Sequence, residues 1–491
     1  MTAVLALDQG TTGSRALVVA ADGTVLARAY REIPQHYPQP GWVEHDPRDL
    51  LGRTIEAARE AIAASRVKPV AVGITNQRET VMIWDRKSGE PVGRAIVWQD
   101  RRTAARCAEL APEAERIERA TGLVTDPYFS ATKLEWLIRE HGLAARAKRG
   151  ELAAGTVDAW LVWQLTGGKV HATDPTNASR TMLYDIERRA WSEELCSLFG
   201  VPAAMLPEVR PSSGDFGTTG AGTLGIELPI RGIAGDQQSA LFGQGCWRAG
   251  EGKNTYGTGA FVLLHAGTRR PKSARGLLTT IACDARGGAA FALEGAIFIA
   301  GAAVQWLRDG LGLIRVADET EALARGIDST GGVYFVPALT GLGAPDWEPG
   351  ARGTIVGITR GTTRAHLARA ALEAMAFATD DILSLMAAGV GHRFERLRVD
   401  GGATANDWLM QFQADVLGVP VERPDIVETT ALGAAGLAGI AAGVWRTADE
   451  FIEGRRFTRF APGKGAAQAR EGKGEWRRAV DAALHWARPS R

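Results

Sequence analysis

The first twenty residues constrain this chain more than any other stretch. Val4-Leu5-Ala6-Leu7-Asp8-Gln9-Gly10-Thr11-Thr12-Gly13-Ser14-Arg15-Ala16-Leu17-Val18-Val19 is an apolar run that ends in an acid, turns through Gly and Thr, and leaves as a second apolar run. Runs of this length bounded by turn residues read as two strands of a hairpin. Gly10 and Gly13 permit positive φ, so successive backbone N–H groups can point at one spot. Thr11, Thr12 and Ser14 add hydroxyl donors, and Arg15 adds a fixed positive charge. Such a concavity suits phosphate oxygens, and Asp8 beside it suits Mg²⁺, held directly or through water. Alone, the stretch reads equally well as an ordinary polar hairpin. The rest of the chain has to break that tie.

Length and composition set the frame. A chain of 491 residues, 45% hydrophobic and 23% charged, is expected to form at least two soluble domains with substantial cores. The net charge of +1 gives no reason to expect nucleic acid or an anionic membrane as partner. Cys107, Cys196, Cys246 and Cys283 stand far apart, without metal spacing or a dense disulfide pattern, which fits a reducing cytoplasm. No basic n-region precedes Asp8, so no signal peptide is expected. The longest uncharged stretch, 429–445, is shorter than the ~20 apolar residues of a spanning helix and reads as a buried helix.

Strand and helix patterns occur in an order that repeats. After the opening hairpin come a strand over 25–33, a Pro-rich loop, and a helix from Asp46-Pro47 to about residue 64, with Asp46 as N-cap. A short buried strand over 70–74 runs into Asn76-Gln77-Arg78-Glu79, two apolar runs end at Trp84 and Trp98, and helices then dominate to about residue 165. The second half begins with a strand over 230–234 leading into Gly235-Asp236-Gln237-Gln238. A second Gly/Thr turn between strands follows over 254–264, then a strand over 289–293 and a helix over 297–311. A helical face covers 366–386, a strand 397–399, and a helix 406–417 after Asp400-Gly401-Gly402. Strands alternating with helices in two similar halves predict an α/β protein of two related domains closing on one cleft, divided near residues 243–245.

Familiar nucleotide motifs are absent. No Gly-Lys pair precedes Ser or Thr, so there is no Walker A loop. Gly220-Ala221-Gly222-Thr223-Leu224-Gly225 matches a dinucleotide pattern, but it follows a polar loop and precedes no helix, and reads as surface. What recurs is an acid closing an apolar run beside a polar turn: Asp8, Asp236 and Asp400. One such acid is usually a turn-former. Three are more than chance placement explains, since open α/β sheets bind ligands at strand C-termini.

At this point the chain resembles the glycerol kinases, a branch of the carbohydrate kinase family that also holds xylulose and gluconate kinases. The matching stretches are 7–15, 41–47, 73–80, 96–99, 125–130, 232–241, 253–259, 277–282, 341–345 and 399–406. The family's two signature regions fall at 128–140 and 353–373. The resemblance implies two actin-like (ribonuclease-H-type) domains closing on a central cleft. Residues 1–245 would carry the polyol site and phosphate hairpin, and 246–491 the nucleotide site. It implies phosphate transfer from ATP to glycerol with Mg²⁺, in a cytoplasmic homo-oligomer, dimer or tetramer, with no nucleic-acid partner and no membrane insertion. Residue by residue, Thr11, Thr12, Gly13, Arg15 and Thr258 match phosphate contacts. Gly301, Gln305, Gly402 and Asn406 match positions that hold the nucleotide. Asp8 would act through the metal, and Asp236 matches the general base. For the substrate, Arg78 donates, Glu79 accepts, Tyr128, Asp236 and Gln237 bond hydroxyls, and Trp98 and Phe261 cover the carbon chain.

Adjacent residues of a regular strand face opposite ways, so Arg78 and Glu79 can share a substrate only if a turn or bulge holds them. Without the resemblance, they read as a solvated surface pair, and Trp98 and Tyr128 as core aromatics. The loop over 220–230 is shorter than in fructose-bisphosphate-inhibited members and carries Glu227 where they have a basic residue, which argues against that effector site. No His lies in the loop, so activation by His phosphorylation is not expected either. The tail after Phe460 reads as a partly mobile surface segment before a helix over 476–486. A sugar kinase of the same family and an actin-like nucleotide switch are the competing functions.

Overall fold

The computed structural model describes residues 1–272, 276–392 and 394–488. Its first sheet grows from the opening hairpin. Strand β1 (Ala3–Gln9) pairs antiparallel with β2 (Gly13–Ala20), and β2 with β3 (Val25–Glu32). Helix α1 (Pro47–Ser65) follows, opened by the Asp46 carboxylate accepting from Arg48 N–H at 2.9 Å with Pro47 at its first position. Strands β4 (Ala71–Asn76) and β5 (Ile230–Gly235) then add parallel on the far side of β1, and α2 (Asp236–Gly243) starts directly at the end of β5. The order is β5-β4-β1-β2-β3. Val4 to Leu7 are wholly buried because helices cover both faces of this sheet, which is why β1 reads as an unbroken apolar run.

The second half repeats this plan. Strands β6 (Gly252–Tyr256) and β7 (Ala260–Gly267) form the second Gly/Thr hairpin, followed by β8 (Leu278–Cys283) and β9 (Ala289–Ile297). After α3 (Gly301–Gln305) and the long α4 (Arg364–Val390) come β10 (Leu397–Asp400), α5 (Asp407–Leu417) and β11 (Val421–Pro424). Helix α6 (Thr429–Ala441), β12 (Phe457–Phe460) and α7 (Ala466–Ala487) close the chain. The sheet order is β8-β9-β7-β6-β10-β11-β12, with β6 antiparallel to β7 and parallel to β10. In both sheets an antiparallel meander lies on one side of a central strand and parallel strands on the other, as the ribonuclease-H-type expectation requires, and β12 adds antiparallel at the edge of the second.

The halves interlock. Helix α6, the uncharged stretch read as a buried helix, lies in the second half of the chain but packs on β1, β4 and β5. The approach is so close that a Cβ on Gly73 would sit 2.1 Å from the Ala434 carbonyl oxygen, and one on Gly232 2.5 Å from the Ala438 nitrogen. Trp445 then donates to the Ala21 carbonyl at 2.8 Å. Among the described residues no helix is long and apolar enough to cross a membrane.

Several expectations are corrected. Strand β9 continues past Leu293 to Ile297, so the expected helix at 297 begins only at Gly301 and passes into a π turn over Trp306–Gly310. Alternating burial cannot mark the end of a strand covered on both sides. A strand, Leu152–Thr156, interrupts the region expected to be helical and pairs with Val81–Asp85. The tail is not a loose surface segment: α7 starts at Ala466 and buries Ala469, Trp476, Ala479, Val480 and Ala483 against the second core. Alanines at helical spacing supplied that stripe, and they look neutral in composition. The 220–225 segment is indeed at the surface, a short helical turn whose Gly222 and Thr223 carbonyls accept from Arg59, each at 2.8 Å.

Candidate active site

The parallel strands β1, β4 and β5 finish in register, with Gln9 beside Asn76 and Asn76 beside Gly235. Their C-terminal ends therefore bring Asp8, Arg78-Glu79 and Asp236 to one edge of the sheet. The hairpin turn is closed by Gly10 N–H donating to the Gly13 carbonyl at 2.9 Å. Its other carbonyls are occupied from behind. Thr11 accepts from Gln35 Nε2 at 2.7 Å, and Thr12 from Ile33 N–H at 3.0 Å. Gln77, which bonds Gln9 and the Gly10 carbonyl, and Gln35 both meet the buried His45 ring. Ser14 does not serve the turn, because its hydroxyl bonds Thr54 of α1 at 2.9 Å. Asp8 lies opposite Arg15 in the ladder. Burial pushes the Asp8 carboxyl up to about 6, with Arg15 opposing and Asp236 adding to the rise.

After β4 the backbone leaves the strand. Glu79 takes φ of +61°, and Thr80 N–H donates to the Arg78 carbonyl at 2.7 Å. This bend brings the two consecutive side chains to one side, with Arg78 Nε 3.8 Å from Glu79 Oε1. Arg78 Nε lies 3.1 Å from Asp236 Oδ1, which also accepts from Gln237 N–H at 2.7 Å. Arg78 Nη1 donates to Gln238 Oε1 at 3.2 Å. The Asp236 side chain retains 30% of its surface, yet loss of water around it pushes its carboxyl up, against the pull of Arg78. Trp98 meets Tyr128 edge to face at 5.6 Å, and burial pushes the Tyr128 phenol up. The buried Lys133 ammonium donates to the Tyr128 carbonyl at 3.0 Å.

The second sheet turns one face toward this cluster. Cross-strand partners share a face. Lys253 pairs with Leu263 and Leu263 with Glu294, while Thr255 pairs with Phe261 and Asp400. Phe261 thus lies on the same face as Lys253 and Glu294, and Lys253 Nζ bonds both the Gln237 side-chain oxygen and Thr255. Asp400, although it repeats the motif of Asp8 and Asp236, is buried and accepts from Gln244 and Thr429. It ties α2 and α6 to the second sheet rather than facing a ligand.

A separate cavity of about 510 Å³ opens in the second half, lined by Thr258, Gly301, Gln305, Gly402 and Asn406 together with the apolar Leu372 and Met375. All five second-half positions expected to meet a nucleotide therefore share one pocket. A Cβ on Gly301 would sit 2.6 Å from the Gly257 carbonyl oxygen, so only glycine admits this packing of α3 on the hairpin. Asn406 caps α5 by accepting from Leu409 N–H at 2.9 Å and donates to Thr320 at 3.3 Å. Thr11, Thr12, Gly13 and Arg15 belong to the first sheet's hairpin and do not line this cavity.

Four site residues escaped the sequence reading: Arg180, Gln238, Lys253 and Glu294. Glu294 had a signal. It is the one charge in an apolar run over 289–300, and a lone acid inside a strand buried on both faces requires a partner. Among the described residues no group of three or more His, Cys, Asp or Glu side chains is arranged to hold a metal ion. Mg²⁺ takes as few as one protein carboxylate and completes its shell with phosphates and water, so this says nothing against the expectation for Asp8.

Comparison with known proteins agrees with this architecture. Residues 3–243 match the N-terminal domain, and 252–442 the C-terminal domain, of the FGGY family of carbohydrate kinases. The chain is 54% identical to the glycerol kinase of Dechloromonas aromatica over 99% of its own length and 98% of that protein. It is 55% identical to the glycerol kinase of Thermus brockianus, covering 98% and 99%. The crystal structure of Plasmodium falciparum glycerol kinase with ADP superposes with a TM-score of 0.92 at 35% identity, over 99% of this chain and 98% of that one. With both halves matched in order, this chain belongs to the FGGY family of carbohydrate kinases.

Proposed function

We propose that this enzyme transfers the γ-phosphoryl group of ATP to a terminal hydroxyl of glycerol, yielding glycerol 3-phosphate and ADP. The observation that carries the reading is the bend at Arg78-Glu79, with Arg78 Nε 3.1 Å from Asp236 Oδ1 and 3.8 Å from Glu79 Oε1. A neutral triol needs both polarities and an apolar wall. Arg78 donates, Glu79 accepts, Tyr128 and Gln237 do either, and Trp98 and Phe261 cover carbon.

In this mechanism Asp236 takes the proton of the attacking hydroxyl while the new O–P bond forms and the bond to the β-phosphate oxygen breaks. Oδ1 is occupied by Arg78 and Gln237 N–H, which leaves Oδ2 to accept the proton. The upward push on this carboxyl favours proton acceptance. Thr11, Thr12, Gly13 and Arg15 from one hairpin and Thr258 from the other steady the phosphates, and Gly301, Gln305, Gly402 and Asn406 seat the rest of the nucleotide. Mg²⁺, held at Asp8 directly or through water, would neutralise phosphate charge. Residues 1–245 form the polyol domain and 246–491 the nucleotide domain, with α6 crossing back to the first sheet. The family resemblance further implies a cytoplasmic enzyme that works as a dimer or tetramer.

ADP release measured against glycerol, xylulose and gluconate tests the reading. Glycerol is expected to give much the highest kcat/KM. A higher value for a ketose or gluconate would reassign the substrate, and ADP release dependent on none would favour a nucleotide switch.

A further inference from the structure

Arg78 and Glu79 do not hold their own orientation. Glu294, wholly buried on β9 of the second sheet, reaches across the cleft base. Its Oε2 accepts from Arg78 Nη1 at 2.6 Å, and its Oε1 accepts from Arg78 Nη2 and from Arg180 Nη2, each at 3.0 Å. Arg180, also wholly buried, donates through Nε to Glu79 Oε1 at 2.6 Å. Its Nη1 has no hydrogen-bond partner among the described residues, and its guanidinium lies over the rings of Phe129 and Tyr128 at 5.2 and 5.6 Å. One carboxylate from the second half thus holds Arg78 and Arg180 of the first directly, and Glu79 and the Tyr128 face through Arg180.

Opposite charges interlock here: Arg78 and Arg180 stand against Glu79, Asp236 and Glu294 in a buried space, with Lys253 beside Gln237. Burial opposes ionisation of Glu294, but Arg180 and Arg78 outweigh it and hold the carboxyl down at about 2. Without the Glu294 charge two guanidinium groups would repel across the site. Glu79 and Asp236 would then be the anions left beside Arg78 Nε.

We propose that Glu294, acting through Arg78 and Arg180, is a positioning residue that aims the polyol-binding pair. The inference rests on the polyol-kinase reading. Steady-state kinetics of the full chain test it, with separate KM values for ATP and for glycerol. Glu294→Gln keeps the shape but removes the charge and sets an amide N–H against a guanidinium N–H. It is expected to raise the glycerol KM about 10- to 100-fold, the range for a lost hydrogen bond to a charged group, and to leave the ATP KM within about twofold. Glu294→Asp, restoring the charge at shorter reach, is expected to recover part of the loss. Arg180→Lys keeps the charge but loses the fork, and is expected to show the same split at about 3- to 10-fold. It decides the matter if Glu294→Gln does not fold. A folded variant whose glycerol KM stays within about twofold of wild type, or whose two KM values move together, overturns the proposal. If wild-type enzyme prefers another polyol or sugar, the substrate reading fails separately and the split is read on that substrate.

Discussion

The indole N–H of Trp98 donates to the Thr11 hydroxyl at 2.8 Å. A residue assigned to the polyol wall is thereby fastened to the turn assigned to the phosphates. Trp98 also edges onto Tyr128 at 5.6 Å, and its backbone N–H is held by Thr80 at 3.1 Å, next to the bend that carries Arg78 and Glu79. One side chain thus joins the two regions proposed for polyol and phosphate.

Trp98→Phe keeps an aromatic wall and deletes the bond to Thr11. If Trp98 only covers carbon, the glycerol KM alone should change. The bond predicts that the ATP KM rises as well, by about three- to tenfold for one lost neutral hydrogen bond. An ATP KM equal to wild type would show that the turn holds its shape unaided, through Gln35 and Ile33.

Asp236→Asn tests the base. It preserves shape and the Arg78 neighbour but removes basicity, so kcat should fall by about 10²- to 10⁴-fold while ATP affinity changes little. Thr258→Ala, in the nucleotide cavity, should instead weaken nucleotide binding and transfer together. Near wild-type kcat in a folded Asp236→Asn protein would reduce Asp236 to a helix-opening residue.

His45 makes the fold sensitive to acid. Burial, with a smaller contribution from His36, lowers its imidazole from 6.5 to about 4. Between those values the unfolded chain binds a proton that the folded chain does not, so stability is present above pH 6.5 and is lost as pH falls toward 4. His45→Gln should flatten the pH dependence of the unfolding free energy in that window by up to about 1.4 kcal/mol per pH unit. Denaturant titrations of both proteins across the window provide the check, and equal slopes would mean that His45 is not the titrating group. His45 braces Gln35 and Gln77 behind the turn, and because the folded imidazole stays neutral down to about 4, the ATP KM of folded wild type should not change on its account within this window.

What was legible in the sequence is local or periodic. The hairpins at 3–20 and 252–267, the Asp46-Pro47 helix start and the strand ends at Asp8 and Asp236 follow from neighbouring residues, because turns, caps and apolar runs are written within a few positions. So was the need for a bend at Arg78-Glu79, which strand geometry alone imposes. Tertiary structure decided everything that joins distant positions. It withdrew Ser14 into a bond with Thr54 and Asp400 into bonds with Gln244 and Thr429, although both carry the same local signals as residues at the cleft. It set α6 on the first sheet, where Gly73 and Gly232 are needed only because a helix from more than two hundred residues away presses on them. It also brought Glu294 to Arg78, a pair 216 residues apart. A buried charge must find a counter-charge, but which one it finds depends on how two sheets face each other, and no local pattern encodes that distance.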